Sequence, residues 1–375
     1  MCMKQLYLFF ILVALASCGG SDSSSVAVDA PVPIGDNPPD VNTYPGVSWE
    51  TYAPADVNMA ESGIKDALDY AFKSTRNTQG VVIIRHGIIV GERYANEESQ
   101  DSLATSWSSG KSFASALIGI AMDQGLIESI DVPAEEYLPS WVNTDKANIS
   151  VRAVLEMRTG LKKSTDGDFN IYEGGINGDQ LAYALDRIPE TVPRTDNWVY
   201  QNTDSMLLAG ILEEASGQSI LDYADRHLFS KIGMNADWWT DKLGHALTYC
   251  CIDTTSRDFA RFGLLYARNG RWGEDQIVSE AWVKESTSAP PGTDNQNYAL
   301  QWWVNPSGGY FYSAGLNENN IHIFPDLDLV VVRNSLYTKM GSSSIRGGDN
   351  YHLTLEPLDW SNDEFLSYIT DAINN

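Results

Sequence analysis

The β-rich runs of this chain sit at its two ends, and that placement limits how it can fold. Val81 to Arg85 and Ile88 to Tyr94 come early, whereas Tyr298 to Val304, Gly309 to Ser313, Asn320 to Phe324 and Leu329 to Arg333 come late. Each run is short, and the late ones are separated by Pro, Gly or Asp turns. His86-Gly87, between the first two, reads as a two-residue hairpin loop with glycine supplying a positive φ. From about Asp101 to Ser288 the signals are mostly helical instead, at 112–124, 150–157, 179–187, 204–216, 219–231 and 256–269. Amphipathic stripes also mark 59–73, through Ile64, Leu68 and Phe72, and about 362–373, through Phe365, Leu366, Ile369 and Ile373. The pattern predicts an α+β fold: an antiparallel sheet built from N- and C-terminal strands and flanked by the terminal helices, plus a large, mostly helical lobe. The expected division is a sheet lobe at 49–96 and 297–375 and a helical lobe at 97–296. With 375 residues and 43% apolar content, the chain can bury one large core or two subdomains that share a cleft.

Residues 1–17 hold Lys4, an apolar stretch from Leu6 to Leu15 and then small residues, the layout of an export signal. Leu15-Ala16-Ser17-Cys18 resembles a bacterial lipobox, which would make Cys18 the lipidated first residue of the mature protein. Residues 18–48 are rich in Ser, Pro, Gly and Asp without a helical or strand period, and read as a flexible stalk. The expectation is a protein of the bacterial cell envelope, lipid-anchored and facing the periplasm or exterior. Twenty-five Lys and Arg against fifty Asp and Glu leave a formal charge of −25, which repels nucleic acid and anionic headgroups. Beyond Cys2 and Cys18 only Cys250 and Cys251 remain. Adjacent cysteines close only a small, strained ring, so these two are expected as reduced, buried thiols. None of the five histidines has finger-like spacing, and neither metal nor cofactor is expected.

The chemistry-bearing pattern is Ser108-Ser109-Gly110-Lys111, which opens an apolar run to Met122, with Tyr200-Gln201-Asn202 following about 90 residues later. Positions three apart share a helix face, so the Lys111 amine can reach the Ser108 hydroxyl. The helix that begins at Lys111 is apolar on nearly every side, and desolvation favours the neutral amine that could serve as a base. Neither motif is specific by itself. Ser62-Gly63-Ile64-Lys65 repeats the first spacing, but off the apolar stripe of its helix, where a lysine stays solvated and charged. Tyr94-Ala95-Asn96 repeats the second at the end of a hairpin strand, whereas Tyr200 lies in an irregular stretch after Pro193 and Asn197.

Taken in order, these motifs resemble the serine β-lactamase and penicillin-binding family, in particular its class C branch, which includes family VIII esterases and 6-aminohexanoate-dimer hydrolases. The likeness runs from about Gly80 to Asn334 and includes Ile149 to Leu155, Arg158-Thr159-Gly160-Leu161, Ile232-Gly233-Met234, Thr254 to Gly263 and Gln301-Trp302-Trp303. It implies Ser108 as acyl-forming nucleophile, Lys111 as its base, Tyr200 as general acid and base with Asn202 in support, and an oxyanion hole of two backbone N–H groups. The family's third motif, Lys-Ser/Thr-Gly on a strand beside the site, is replaced by Ser313-Ala314-Gly315. No cation is then available there for the carboxylate of a β-lactam or muropeptide. Gly315 still permits close backbone approach, so the N–H groups of Ser108 and Leu316 can form the oxyanion hole. Trp302, Trp303, Tyr310 and Tyr312 offer an apolar substrate wall, or else ordinary sheet packing. Arg158, Asp168, Asp253 and Arg333 read as solvated or ion-paired groups outside the catalytic set.

The expected function is hydrolysis of a small ester or amide through an acyl-enzyme. The alternatives are a β-lactamase or D-Ala-D-Ala peptidase, and a non-catalytic lipoprotein that binds cell-wall fragments. A phosphate loop is the rival from another class, because Gly110-Lys111-Ser112 ends like a Walker sequence. Thr105 stands where that sequence needs its first glycine, and 97–104 is no buried strand.

Overall fold

The computed structural model describes residues 43–163, 178–190, 198–291, 295–338 and 353–373. The leader, Cys18, most of the stalk and Asp168 lie outside them.

Helix α1 (Glu61–Ala71) leads into the hairpin β1 (Thr78–Arg85) and β2 (Ile88–Tyr94). His86 and Gly87 turn it with φ of 55° and 79°, the left-handed pair that a tight hairpin loop requires. After β3 (Leu103–Thr105) comes α2 (Gly110–Asp123), and the middle of the chain holds α3 (Asn202–Ser216), β4 (Asp237–Trp238), β5 (Ile252–Thr255) and α4 (Ser256–Ala267). The chain closes with β6 (Trp303–Asn305), β7 (Tyr310–Gly315), β8 (Asn319–Phe324), β9 (Leu329–Ser335) and α5 (Asn362–Thr370). Six of these strands form one antiparallel sheet in the order β2-β1-β9-β8-β7-β6, so the early hairpin pairs with the late strands through β1 and β9.

Strand alternation sorts the side chains of this sheet into two cores. Val81, Ile83, Phe324, Leu329 and Val331 face α1 and α5, where they meet Leu68, Phe365 and Ile369. Val82, Ile84, Ile321, Ile323, Val330 and Val332 face the other way, toward α4 and α2, and join Phe259, Phe262, Phe113 and Leu117. The near-continuous burial of β1, β8 and β9 follows from this covering of both faces.

Within the mostly helical middle, β3, β5 and β4 make a second, three-stranded sheet that the helical periodicity concealed. These strands have three, four and two residues, too few for alternation to register. The expected strand over 298–304 is shorter than its pattern suggests, because regular pairing begins at Trp303 and Tyr298 makes only an isolated bridge. Among the described residues, no helix is long and apolar enough to cross a membrane.

Candidate active site

Ser108 lies on a short turn, Trp107–Ser109, that feeds directly into α2. Trp107 has φ of 47°, a rare conformation for so large a residue. The surrounding backbone holds it there: Cys251 N–H donates to Trp107 O at 3.3 Å, and Ser106 exchanges hydrogen bonds with Ile252 through its N–H and its Oγ, both at 2.8 Å. Gly110 follows because a Cβ at that place would stand 2.7 Å from Cys250 O. The turn leaves Ser108 half-buried at the mouth of the helix, while Ser109 donates to Asn319 O and Ser112 to Gln301 O.

One helical turn on, Lys111 is 2% exposed. Its Nζ lies 3.1 Å from Ser108 Oγ and donates to Asn202 Oδ1 and to Tyr249 O, each at 2.6 Å. Asn202 is the first residue of α3, and the ring of Tyr200, just before that helix, centres 5.0 Å from the same nitrogen. The predicted Ser108, Lys111, Tyr200 and Asn202 therefore meet at one point. The geometry is chemically pointed, because contacts to Asn202 Oδ1 and Tyr249 O hold the Lys111 nitrogen within proton-transfer reach of the serine hydroxyl.

The third-motif strand closes this space from the sheet. Ser313 is fully buried on β7, and a Cβ on Gly315 would stand 2.2 Å from Ser106 O, so only glycine lets the strand end touch the turn that carries Ser108. Leu316 opens the next turn and is half exposed. Asn317 and Glu318, with φ of 58° and 67°, are held by Arg333, whose guanidinium donates to their carbonyls at 2.7 and 3.0 Å.

The model of the beta-lactamase family matches residues 68–355. The chain belongs to that family. Membership makes it a serine hydrolase. It is 22% identical to the 6-aminohexanoate-dimer hydrolase of Paenarthrobacter ureafaciens over 285 residues, covering 68% of this chain and 72% of that one. A Bacillus anthracis protein provisionally named a 6-aminohexanoate-dimer hydrolase superposes with a TM-score of 0.65 at 23% identity, over 80% of this chain and 83% of its own. A family VIII carboxylesterase gives 0.63 at 13% identity, over 83% and 96%. These two superpositions carry the fold.

In this beta-lactamase-family chain, one sequence expectation needs correction and one left open is decided residue by residue. Cys250 and Cys251 are not reduced thiols but form a disulfide with each other, and both are fully buried. The expectation treated the small ring as prohibitive. The turn at Cys251, left-handed with φ of 74°, is the local conformation in which these neighbours close it. The aromatic wall also differs in membership. Trp302 is core, stacked on Phe262 and packed against Tyr266 and Phe311, and Tyr310 packs with Phe324 on the face covered by the terminal helices. The wall beside the site consists of Trp303, stacked on both Tyr200 and Tyr312, with Tyr298 and Trp198 set against it. Sequence reasoning missed Trp198, whose ring lies 6.1 Å from that of Tyr200.

Sequence reasoning missed Tyr249, whose carbonyl holds the lysine, because a backbone acceptor has no residue signature. It also missed Asp204. That carboxylate is fully buried on the first turn of α3, where it accepts from Gln201 Nε2 at 2.6 Å and Thr159 Oγ1 at 2.9 Å. Burial pushes it up to about 7 despite those bonds. It fixes the side chain of Gln201, the residue between Tyr200 and Asn202.

Arg333 is structural, with further bonds to Ser335 Oγ and Arg76 O, and Asp253 is tied to Thr105 Oγ1 and Trp239 Nε1. Asp179, Asp241 and His245 converge as a metal-ligand type of cluster among the described residues. Backbone N–H groups of Gln180, Leu243 and His245 bond to Asp241, Asp179 caps Ala182, and His245 faces Glu213, which accounts for the cluster as a set of loop ties.

Proposed function

We propose that this protein hydrolyses a small carboxylic ester or linear amide through an acyl-enzyme on Ser108. The observation that carries the reading is Lys111 Nζ at 3.1 Å from Ser108 Oγ, buried and oriented by Asn202 Oδ1 and Tyr249 O. An uncharged amine in this orientation accepts the serine proton as Oγ attacks the carbonyl carbon. The N–H groups of Ser108 and Leu316 receive the oxyanion, a contribution worth about 10²–10³ in kcat per donor. Tyr200 passes a proton from the lysine side to the leaving oxygen or nitrogen. It then takes one from the water that attacks the acyl-enzyme, and Asn202 keeps both groups in register.

The substrate ranking follows from β7. Ser313 and Ala314 present no cation to a carboxylate, while Trp303 and Tyr312 extend an apolar surface from Tyr200. Esters and linear amides, including aminohexanoate oligomers of the kind named in the relatives, rank above β-lactams and D-Ala-D-Ala peptides. We also propose export and a lipid anchor at Cys18. A disulfide at Cys250–Cys251 supports an oxidising compartment.

The test pairs the wild type with Ser108→Ala against a p-nitrophenyl ester, an aminohexanoate dimer and a chromogenic cephalosporin, together with a fluorophosphonate label. The expected result is Ser108-dependent labelling and turnover of ester or dimer well above the cephalosporin. Labelling that survives in Ser108→Ala overturns the nucleophile, and cephalosporin turnover with little esterolysis overturns the ranking.

A further inference from the structure

The disulfide lies where the catalytic groups are held. Tyr249, immediately before it, supplies the carbonyl that accepts from Lys111 Nζ at 2.6 Å. Cys250 O abuts Gly110 and accepts from Trp238 Nε1 at 2.8 Å, while Cys251 N–H donates to Trp107 O and Cys251 O accepts from Trp239 N–H at 2.9 Å. The turn therefore touches the residue before the nucleophile, a residue just after it, and the amine that activates it. Nothing in the acyl-transfer chemistry consumes the sulfurs. Without their bond, the turn would have to keep Cys251 at φ of 74° by these hydrogen bonds and packing, in a region that residues with a Cβ disfavour.

We propose that the Cys250–Cys251 disulfide is a positioning element of the active site, locking the 249–251 turn so that Tyr249 O stays on the Lys111 amine and the turn stays packed around Ser108. The proposal rests on the acyl-transfer reading of Ser108 and Lys111. Opening the bond takes two electrons and two protons, supplied by a dithiol that itself becomes a cyclic disulfide, and leaves two thiols on the protein. The turn is then free to relax away from the lysine.

The first measurement is peptide mapping of the active enzyme after alkylation in denaturant. The peptide spanning Cys250 and Cys251 should take up no label before reduction and two labels after it; label at both cysteines before reduction overturns the proposal. The second compares Cys250→Ser, Cys251→Ser and the double variant. All three break the same bond, so each should lose kcat by about tenfold to hundredfold, the scale of an ångström-level misplacement, with KM little changed. The double variant should lose no more than either single one. Wild-type kcat in the double variant, or losses that multiply, would overturn the assignment, since a merely structural bond lowers Tm without splitting kcat from KM. Should the variants not fold, the wild type is reduced by a dithiol under conditions that keep its near-UV spectrum native. Activity should fall and return on reoxidation, and unchanged activity with a labelled peptide sinks the idea. Ser108→Ala separates the two readings: an inactive Ser108→Ala beside fully active cysteine variants removes only the role of the disulfide, whereas an active Ser108→Ala removes the acyl-transfer reading itself.

Discussion

Two places in this molecule carry the same four-residue spacing, and only one of them buries its lysine. On α1, Lys65 has a side chain 70% exposed and pairs with Asp69, one turn further along. On α2, Lys111 is 2% exposed and bonded to an amide oxygen, a peptide carbonyl and the serine hydroxyl. The first lysine is solvent-exposed and ion-paired with a carboxylate. The second is buried, with an amide oxygen, a peptide carbonyl and a hydroxyl within hydrogen-bond distance. A similar division holds for the two Tyr-x-Asn sequences: Tyr94 OH donates to Glu92, which is also paired with Arg257, whereas the Tyr200 ring stands against Lys111. Spacing brings two side chains within reach, and the environment decides what they can do.

The largest expected effect breaks or confirms this contrast directly. Lys111→Ala should lower kcat by about 10⁴-fold or more, as removal of a nucleophile-activating base does, while Lys65→Ala should leave steady-state rates unchanged. Equal losses in the two variants would mean that the buried lysine has no chemical role. Next in size, Tyr200→Phe should cost about 10²–10³ in kcat through loss of proton transfer. Tyr94→Phe should instead remove one hydrogen bond to Glu92, worth about 1 kcal/mol in denaturant unfolding, and leave kcat alone. Burial already pushes the Tyr94 phenol well above its ordinary range, with the nearby Glu92 charge adding to it, so it is a poor proton donor. Asn202→Ala keeps the serine and amine but frees one of the amine's N–H bonds from its acceptor. A kcat loss of about tenfold to hundredfold, with fluorophosphonate labelling slowed but still confined to Ser108, would match an orienting role.

The sheet and the convergence of the two motifs were legible because each left a local signature. Val81 to Tyr94 announced a hairpin by its β-rich runs around His86-Gly87, and the apolar run after Lys111 announced a helix buried on all sides. What stayed hidden depends on contacts between distant segments. The pairing of β3 with β5 joins three residues to four across about 150 positions, and neither piece is long enough to show a period. Tyr249 contributes a carbonyl that any residue would carry. Asp204 lacks a pattern because its partners, Thr159 and Gln201, come from another loop and from its own helix turn. Trp302 and Trp303 show the limit of composition: neighbours in sequence, they point to opposite sides, one into the core beneath α4 and the other onto Tyr200.

The smallest effect extends the comparison to carboxylates and concerns stability rather than rate. Asp69, largely solvated, is held below its ordinary value chiefly by the hydrogen bond from Lys65, whereas burial lifts Asp204 to about 7. The signs oppose. For Asp204 the folded protein keeps a proton that the unfolded chain releases near 3.8, so its favourable contribution is present at low pH and is lost as pH rises through about 7. For Asp69 the favourable contribution is present above 3.8 and is lost as pH falls through the lowered value. Asp204→Asn keeps an acceptor for Gln201 and cannot ionise, so its Tm should decline less than wild type between pH 5 and pH 8, by about 3 °C. Asp69→Asn should instead track the wild type over that interval and differ only in acid. A wild-type slope in Asp204→Asn would show that this carboxylate titrates as a solvated one does, and would remove burial as the rule separating the two halves of the molecule.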